Sequence, residues 1–106
     1  MAEHIDIPLA FKIGTTRYKV VEVESMKTPR GRSLMGQINY EKKTITVATH
    51  NASTKRKYDK GEIGNSFLHE MVHAILHDMG HKLNDDEGFV TNFADRLQEA
   101  LETFKY

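Results

Sequence analysis

The stretch NSFLHEMVHAILHDM, residues 65–79, contains an HExxH pattern formed by His69, Glu70 and His73. Residues four apart lie on one face of a helix, so both imidazole rings can reach a single metal ion. Glu70 lies beside them, within reach of a water molecule that the ion would activate. The pattern therefore predicts a helix that carries a metal site.

The same stretch has the periodicity of a helix that is buried on most of its sides. Its apolar face consists of Leu68, Val72, Ile75, Leu76 and Met79. His69, His73 and His77 form a stripe on roughly the opposite face, and apolar side chains also flank this stripe. Gly80 is the expected stop of the helix. We therefore expect the histidine stripe to face an internal cleft rather than open solvent.

A second helix is predicted over residues 85–104. Its apolar residues recur at helical spacing: Phe89, Val90, Phe93, Leu97, Leu101 and Phe104. Glu87 lies at the flank of this set, where a ligand shared between two packed helices is expected, so we favour it as the third metal ligand. Asp86 and His81 remain alternatives. Glu87 could also form a capping box with Asn84, which would need no metal.

Zinc is the expected metal, because two imidazoles and a carboxylate around an open fourth position form a catalytic zinc site. The chain has no cysteine, so thiolate ligands are excluded. His77 continues the stripe, but a straight helix cannot wrap three successive turns around one tetrahedral ion. Metzincins place a third histidine six residues after the second; that position is Met79 here, so this class is excluded.

Three segments upstream of the helix have the composition and alternation of short strands: residues 16–24, 34–40 and 44–49. They predict a three-stranded antiparallel meander. The expected fold class is therefore α+β, with this short sheet packed against the HExxH helix and a second C-terminal helix. Two basic segments, residues 27–32 and 55–57, are expected to be solvated loops.

The composition predicts one soluble globular domain spanning residues 1–106, with 39% hydrophobic and 28% charged residues. There is no apolar run near the ~20 residues of a membrane helix, and the N-terminal residues do not resemble a secretory signal. Together with the lack of cysteine, this favours the cytoplasm. The formal net charge is zero, so a nucleic acid is not favoured as a partner. We expect a monomer.

Several segments resemble known zinc peptidases. FLHEMVHA, residues 67–74, resembles the LHEMxHA segment of the SprT-like, or Spartan-type, metallopeptidases, and residues 35–40 and 44–47 resemble the strands that precede their active-site helix. Residues 86–89 and 92–94 are more similar to the Glu-bearing second helix of ImmA/IrrE-type and minimal gluzincin peptidases. The resemblance spans roughly residues 34–97, and small phage and prophage proteins combine these features.

The resemblance implies a minimal zincin-like domain that hydrolyses peptide bonds with a zinc-activated water and Glu70 as general base. SprT-like enzymes take their third histidine from a Gly-His-Gly-like segment; Gly80-His81-Lys82 comes too early and is incomplete, which favours Glu87 instead. The expected partner is a peptide or protein substrate, which could pair with an edge strand within residues 34–40 or 44–49.

Two points stay open at the level of sequence. His77, His81 and Tyr58 are candidates to stabilise the oxyanion of the reaction. The competing interpretation is a non-catalytic, zinc-stabilised interaction module. A purely structural site has no need of a base such as Glu70, and it would be closed by four protein ligands.

Overall fold

The computed structural model describes residues 4–106, which form an α+β fold as expected. The strands are Ala10–Ile13 (β1), Thr16–Val23 (β2), Met26–Lys27 (β3), Ser33–Leu34 (β4), Gly36–Asn39 (β5) and Thr44–Ala48 (β6). The helices are Lys60–Asp78 (α1), the short 3₁₀ helix Lys82–Asp85 and Glu87–Glu102 (α2). In this part of the chain, no helix has both the length and the apolar character needed to cross a bilayer.

The main sheet differs from the predicted three-stranded antiparallel meander. It has four strands in the order β1-β2-β6-β5, and β2 pairs with β6 in parallel, while the other two pairs are antiparallel. The chain leaves β2 through a separate two-stranded hairpin, β3–β4, and re-enters the sheet at its far side. As a result β6 lies inside the sheet, and β5 forms an edge.

Two strand predictions failed for local reasons. The prediction missed β1, which is four residues long and joins β2 through a two-residue turn that includes Gly14 at a φ of +58°. A glycine accepts this left-handed conformation without strain. The predicted strand 34–40 is divided at Met35 into β4 and β5, which belong to different sheets.

Helix α1 begins at Lys60, five residues before the predicted start. Its N-cap is Asp59, whose carboxylate accepts a hydrogen bond from the Glu62 N–H at 2.8 Å, while the Glu62 carboxylate accepts one from the Asp59 N–H at 3.1 Å. This capping box satisfies two backbone donors at the helix start. Gly61 and Gly64 lower the helix propensity of this first stretch, which is why the periodicity did not extend into it.

The end of α1 agrees with the prediction that Gly80 stops it. Gly80 has a φ of +63°, its N–H donates to the His77 carbonyl at 3.0 Å, and the His81 N–H donates to the Leu76 carbonyl at 2.9 Å. These two bonds form a Schellman motif. The motif turns the chain back, so that the following 3₁₀ helix lies beside α1 rather than continuing from it.

Helix α2 begins at Glu87 and ends at Glu102, within the predicted residues 85–104. Its N-cap is Asp86, whose carboxylate accepts a hydrogen bond from the Phe89 N–H at 2.9 Å. The alternative role of Glu87, in a capping box with Asn84, is therefore excluded, because Asn84 belongs to the 3₁₀ helix and Glu87 is the first residue of α2.

Helix α1 contacts both the sheet and α2, and its burial extends around most of its circumference, as its sequence predicted. One hydrophobic core joins these layers: Val20, Ile45, Val47, Phe67, Leu68, Val72, Leu76, Val90 and Ala94. Burial of an aliphatic side chain of this kind stabilises the fold by roughly 1.5–3 kcal/mol. The core therefore fixes α1 against β2 and β6 of the sheet on one side and against the first half of α2 on the other.

Candidate metal centre

The HExxH residues lie in the middle of α1. His69 and His73 are one turn apart on the same face, with their ring centroids 5.1 Å apart. Their side chains are 21% and 10% exposed, so neither is a freely solvated surface residue. The helix therefore presents two adjacent imidazoles from a rigid, well-packed element.

Glu87 approaches both imidazoles from the first turn of α2. Its Oε1 atom lies 2.7 Å from His73 Nε2, and its Oε2 atom lies 3.1 Å from His69 Nε2. The Glu87 side chain is 68% exposed, so the group is open to solvent on that side. The two helices thus bring together the three residues that the sequence singled out as ligands.

His69, His73 and Glu87 form a group that could hold a metal ion, since one donor atom from each lies within 4.8 Å of the others. Zinc–ligand distances near 2.0–2.2 Å place neighbouring donors of a tetrahedral ion about 3.3 Å apart. The observed 2.7 and 3.1 Å separations are close to that value. The two imidazoles and the Glu87 carboxylate could therefore hold one metal ion between them.

The alternative third ligands have other partners. Asp86 is the N-cap of α2, and its carboxylate is bound to the Phe89 N–H. His81 is the N-cap of the 3₁₀ helix, where its Nδ1 accepts a hydrogen bond from the Leu83 N–H at 3.1 Å. Both residues belong to the turn that positions Glu87, and neither joins the three-residue group.

Asn84 is a site residue that the sequence prediction did not recognise. Its Oδ1 atom lies 2.6 Å from His73 Nδ1, and an amide oxygen is only an acceptor, so His73 Nδ1 carries the proton and donates it. This hydrogen bond leaves Nε2 as the nitrogen that faces Glu87. Hydrogen bonding of the distal ring nitrogen is a common way of orienting a metal-binding histidine.

Tyr40 and His77 lie next to the hydrogen bond between Asn84 and His73. The Asn84 amide donates to the Tyr40 hydroxyl at 3.2 Å, and the Tyr40 ring stacks on His77 with centroids 3.9 Å apart. His77 is therefore next to the network that orients His73, not among the candidate ligands. Helical spacing placed His77 on the same face as His73, but it could not reveal that the Tyr40 ring stacks on it.

We expect Asn84→Ala to weaken zinc binding roughly 10–100-fold, because His73 loses the acceptor that orients its ring. Asn84→Asp keeps an acceptor at the same place and should retain most of the affinity. Competition with a chromophoric chelator measures the zinc Kd. Asn92→Ala is a matched control, since Asn92 bonds to Gly88 O on α2. An unchanged Kd in Asn84→Ala would contradict the orienting role.

Glu70 is the second residue of the pattern and is nearly buried, with 9% of its surface exposed. Burial raises its pKa to about 7, against a smaller lowering by His73 and a further raising by Glu87. The backbone at Gly36 packs directly over it: a Cβ there would lie 3.3 Å from a Glu70 carboxylate oxygen and 2.9 Å from Ser66 Oγ. A side chain at position 36 would therefore crowd Ser66 and Glu70.

The candidate ligands and Glu70 line one cleft of about 380 Å³. The rest of its lining consists of Leu34, Met35, Gly36, Asn65 and Ser66. The cleft thus lies between the start of β5 and the two helices. A larger groove of about 970 Å³, beside Ile5 and Tyr58, contains none of the HExxH residues, so size does not identify the site.

The three oxyanion candidates are not part of the cleft lining. Tyr58 is 4% exposed and lines the larger groove, His77 is stacked on Tyr40, and His81 caps the 3₁₀ helix. The structure therefore offers no support for these three assignments.

Comparisons of the chain with protein-family models, with curated proteins and with solved structures found no match. The similarity to SprT-like and ImmA/IrrE-type peptidases consequently remains a prediction from the residues. Any functional assignment has to be argued from the geometry of the cleft.

Proposed function

We propose that the chain is a zinc-dependent peptidase of minimal gluzincin type, with His69, His73 and Glu87 as metal ligands and Glu70 as general base. The observation that carries the proposal is a nearly buried carboxylate, Glu70, directly beside a three-donor group. A structural zinc site is closed by four protein ligands. Within residues 4–106 this group has three, and its Glu87 side is open to solvent.

The donor set supports zinc as the metal, because two imidazole nitrogens and one carboxylate are typical of catalytic zinc sites. A zinc ion in this position would supply Lewis acidity, which acidifies a water molecule and polarises a substrate carbonyl. A single copy of the chain contributes all three donors, so no partner subunit is needed to complete the site.

The proposed role of Glu70 is proton transfer. It would accept the proton of the attacking water and deliver it to the nitrogen of the leaving amine. In the metal-free protein, burial raises the pKa of Glu70 to about 7, so this carboxyl can bind a proton near neutral pH. The glycine at position 36 leaves room for this carboxylate, since a Cβ there would lie 3.3 Å from one of its oxygens.

The edge of the sheet supports a peptide as the substrate. Of the two strands considered for pairing, β6 lies between β2 and β5 and has no open edge, whereas β5 is an edge strand. Met35 O accepts a hydrogen bond from the Ala48 N–H. In an antiparallel pair, the N–H and C=O groups of successive residues point alternately towards the partner strand and away from it. Met35 points towards β6, so the backbone groups of Gly36 and Ile38 point away from it. These groups could bind an extended peptide across the cleft.

Metal removal and restoration test the proposal directly. The protein purified without added chelator should contain about one zinc per chain and should cleave an unfolded protein such as casein. Treatment with 1,10-phenanthroline should abolish cleavage, and added Zn²⁺ should restore it. One bound zinc without turnover of any peptide would instead favour the non-catalytic interaction module. Absence of zinc binding would contradict both assignments.

A further inference from the structure

The charges of this neutral chain are unevenly distributed. Residues 25–57 contain eight Lys and Arg residues but only one acidic residue, Glu41, whereas the rest of the sequence contains seven cationic and fourteen acidic residues. The cleft wall formed by Leu34, Met35 and Gly36 comes from this cationic segment. The segment that supplies this wall is therefore strongly basic although the chain has zero net charge.

Two basic loops of this segment are ordered and packed against each other. The loop between β3 and β4 is closed by two hydrogen bonds of 2.8 Å, from Thr28 N–H to Arg32 O and from Gly31 N–H to Thr28 O. The loop that follows β6 is joined to it by a hydrogen bond of 3.0 Å from Ala52 N–H to Ser33 Oγ. The fold thus gathers cations that lie more than twenty residues apart in sequence.

We call the exposed cations at the cleft side of these two loops the basic rim: Lys27, Arg30, Arg32 and Lys55. Lys57 is left out because it lines the larger groove beside Ile5. Arg56 is not included because its guanidinium is bound to Glu62. None of the four rim residues forms an ion pair within residues 4–106. Lys27 pairs with Ser33, and Arg32 is two residues from Leu34, so the hairpin that carries three of the rim residues also supplies Leu34 to the cleft wall.

We propose that the basic rim binds an acidic segment of the peptide whose neighbouring residues lie along β5, so that the site selects acidic peptides. This inference deepens the proposed function and rests on it. Unpaired cations at the end of an open strand edge complement carboxylates on a peptide that extends past that edge. Tyr40 follows the last residue of β5 and is bonded to Asn84, so the neighbouring Asp85 lies near the end of β5 that is far from the rim. Acidic residues of the peptide are therefore favoured at the rim end of β5 and disfavoured at the other end.

The rim fits a peptide better than a nucleic acid. Its loops, residues 27–32 and 53–57, contain no aromatic residue on which a base could stack. Asp85 and Asp86 on the opposite side of the cleft would repel a phosphate backbone that crossed it. The rim also leads directly to the open backbone groups of β5, which suit an extended polypeptide.

Binding of two matched peptides tests the inference. Both carry one fluorescein and the same apolar segment, flanked by four glutamates in one and by four glutamines in the other. Fluorescence anisotropy with zinc-loaded Glu70→Gln protein, which should not cleave them, gives the Kd values. We expect the glutamate peptide to bind about tenfold more tightly at low ionic strength, because several exposed charge pairs each contribute modestly. High salt should remove most of the difference.

Charge reversal locates the effect. The double variant Arg30→Glu, Arg32→Glu should bind the two peptides equally. Lys12→Glu with Arg17→Glu changes the net charge identically on the β1–β2 hairpin and should keep the preference. The inference is overturned if the protein with the native rim binds the two peptides equally or does not measurably bind the glutamate peptide. It is also overturned if the preference for the glutamate peptide survives reversal of the rim charges. An oligonucleotide that binds the rim more tightly than the glutamate peptide also overturns it.

The result separates this inference from the proposed function. Rim-dependent binding of the glutamate peptide without cleavage by zinc-loaded wild-type protein would leave acidic recognition standing and remove the peptidase assignment. Cleavage of both peptides with equal kcat/KM and equal affinity would support the peptidase assignment and remove the inference of acidic recognition.

Discussion

Glu70→Gln is expected to lower kcat/KM for peptide hydrolysis roughly 10²–10⁴-fold, the usual contribution of a general base. Glutamine has nearly the same shape as glutamate, so the packing against Gly36 is kept. It cannot accept the proton of the attacking water. Because His69, His73 and Glu87 remain, zinc stoichiometry should stay near one per chain.

The measurement pairs zinc content with turnover in the same preparation. Glu99→Gln is a suitable control, because Glu99 is an exposed residue of α2 outside the cleft and the chemical change is identical. Loss of zinc together with activity in Glu70→Gln would mean that Glu70 is a ligand. Unchanged turnover with zinc bound would exclude it as the base.

The same substitution should change how the stability of the metal-free protein depends on pH. Burial raises the folded-state pKa of Glu70 to about 7, above the 4.5 that is usual for a glutamate. The folded state therefore binds more protons than the unfolded state between these values, and stability falls as pH rises through that range. Glutamine stays neutral, so Glu70→Gln should become more stable than wild type by up to about 3 kcal/mol above pH 7. Urea unfolding at pH 5 and pH 8, again with Glu99→Gln as control, would measure this difference; a constant difference would contradict it.

The candidate site was largely predictable because its chemistry is local. His69, Glu70 and His73 follow from one helical turn, and the Schellman glycine at position 80 is a local signal as well. Glu87 was identified because the flank of an apolar stripe on one helix lies next to the helix that packs on it. In each case a short-range rule was sufficient.

The remaining features depend on contacts between distant segments. Asn84 resembled a helix cap, and its contact with His73 exists only because the Gly80 turn folds the 3₁₀ helix back onto α1. The parallel pairing of β2 with β6 follows from the route of the chain through the β3–β4 hairpin, which alternation within a strand does not encode. Strand propensity identified most of the segments but could not order them.

Glu87→Ala is expected to have the largest effect on metal binding. It removes the carboxylate that lies 2.7 and 3.1 Å from the two imidazoles and leaves two donors. The zinc affinity should fall by more than the roughly 10–100-fold that follows from the loss of an outer hydrogen-bond partner. The fold should persist, because Glu87 is 68% exposed and Asp86 remains as the N-cap of α2.

Asp85→Ala is the matched control, since it removes a neighbouring exposed carboxylate outside the ligand group. Equilibrium competition with a chelator gives both zinc Kd values, and circular dichroism checks the helices. A Glu87→Ala protein that binds zinc as tightly as Asp85→Ala would show that another group supplies the third ligand.

The two site variants should differ in their response to added zinc. If Glu87 acts only as a ligand, a large excess of Zn²⁺ should occupy the weakened site and restore part of the activity of Glu87→Ala, because Glu70 is still present to transfer the proton. The same excess cannot help Glu70→Gln, whose site is already full. Rescue of Glu87→Ala but not of Glu70→Gln would therefore separate metal binding from proton transfer in this cleft. Equal behaviour of the two variants would mean that the roles of Glu70 and Glu87 are wrongly divided.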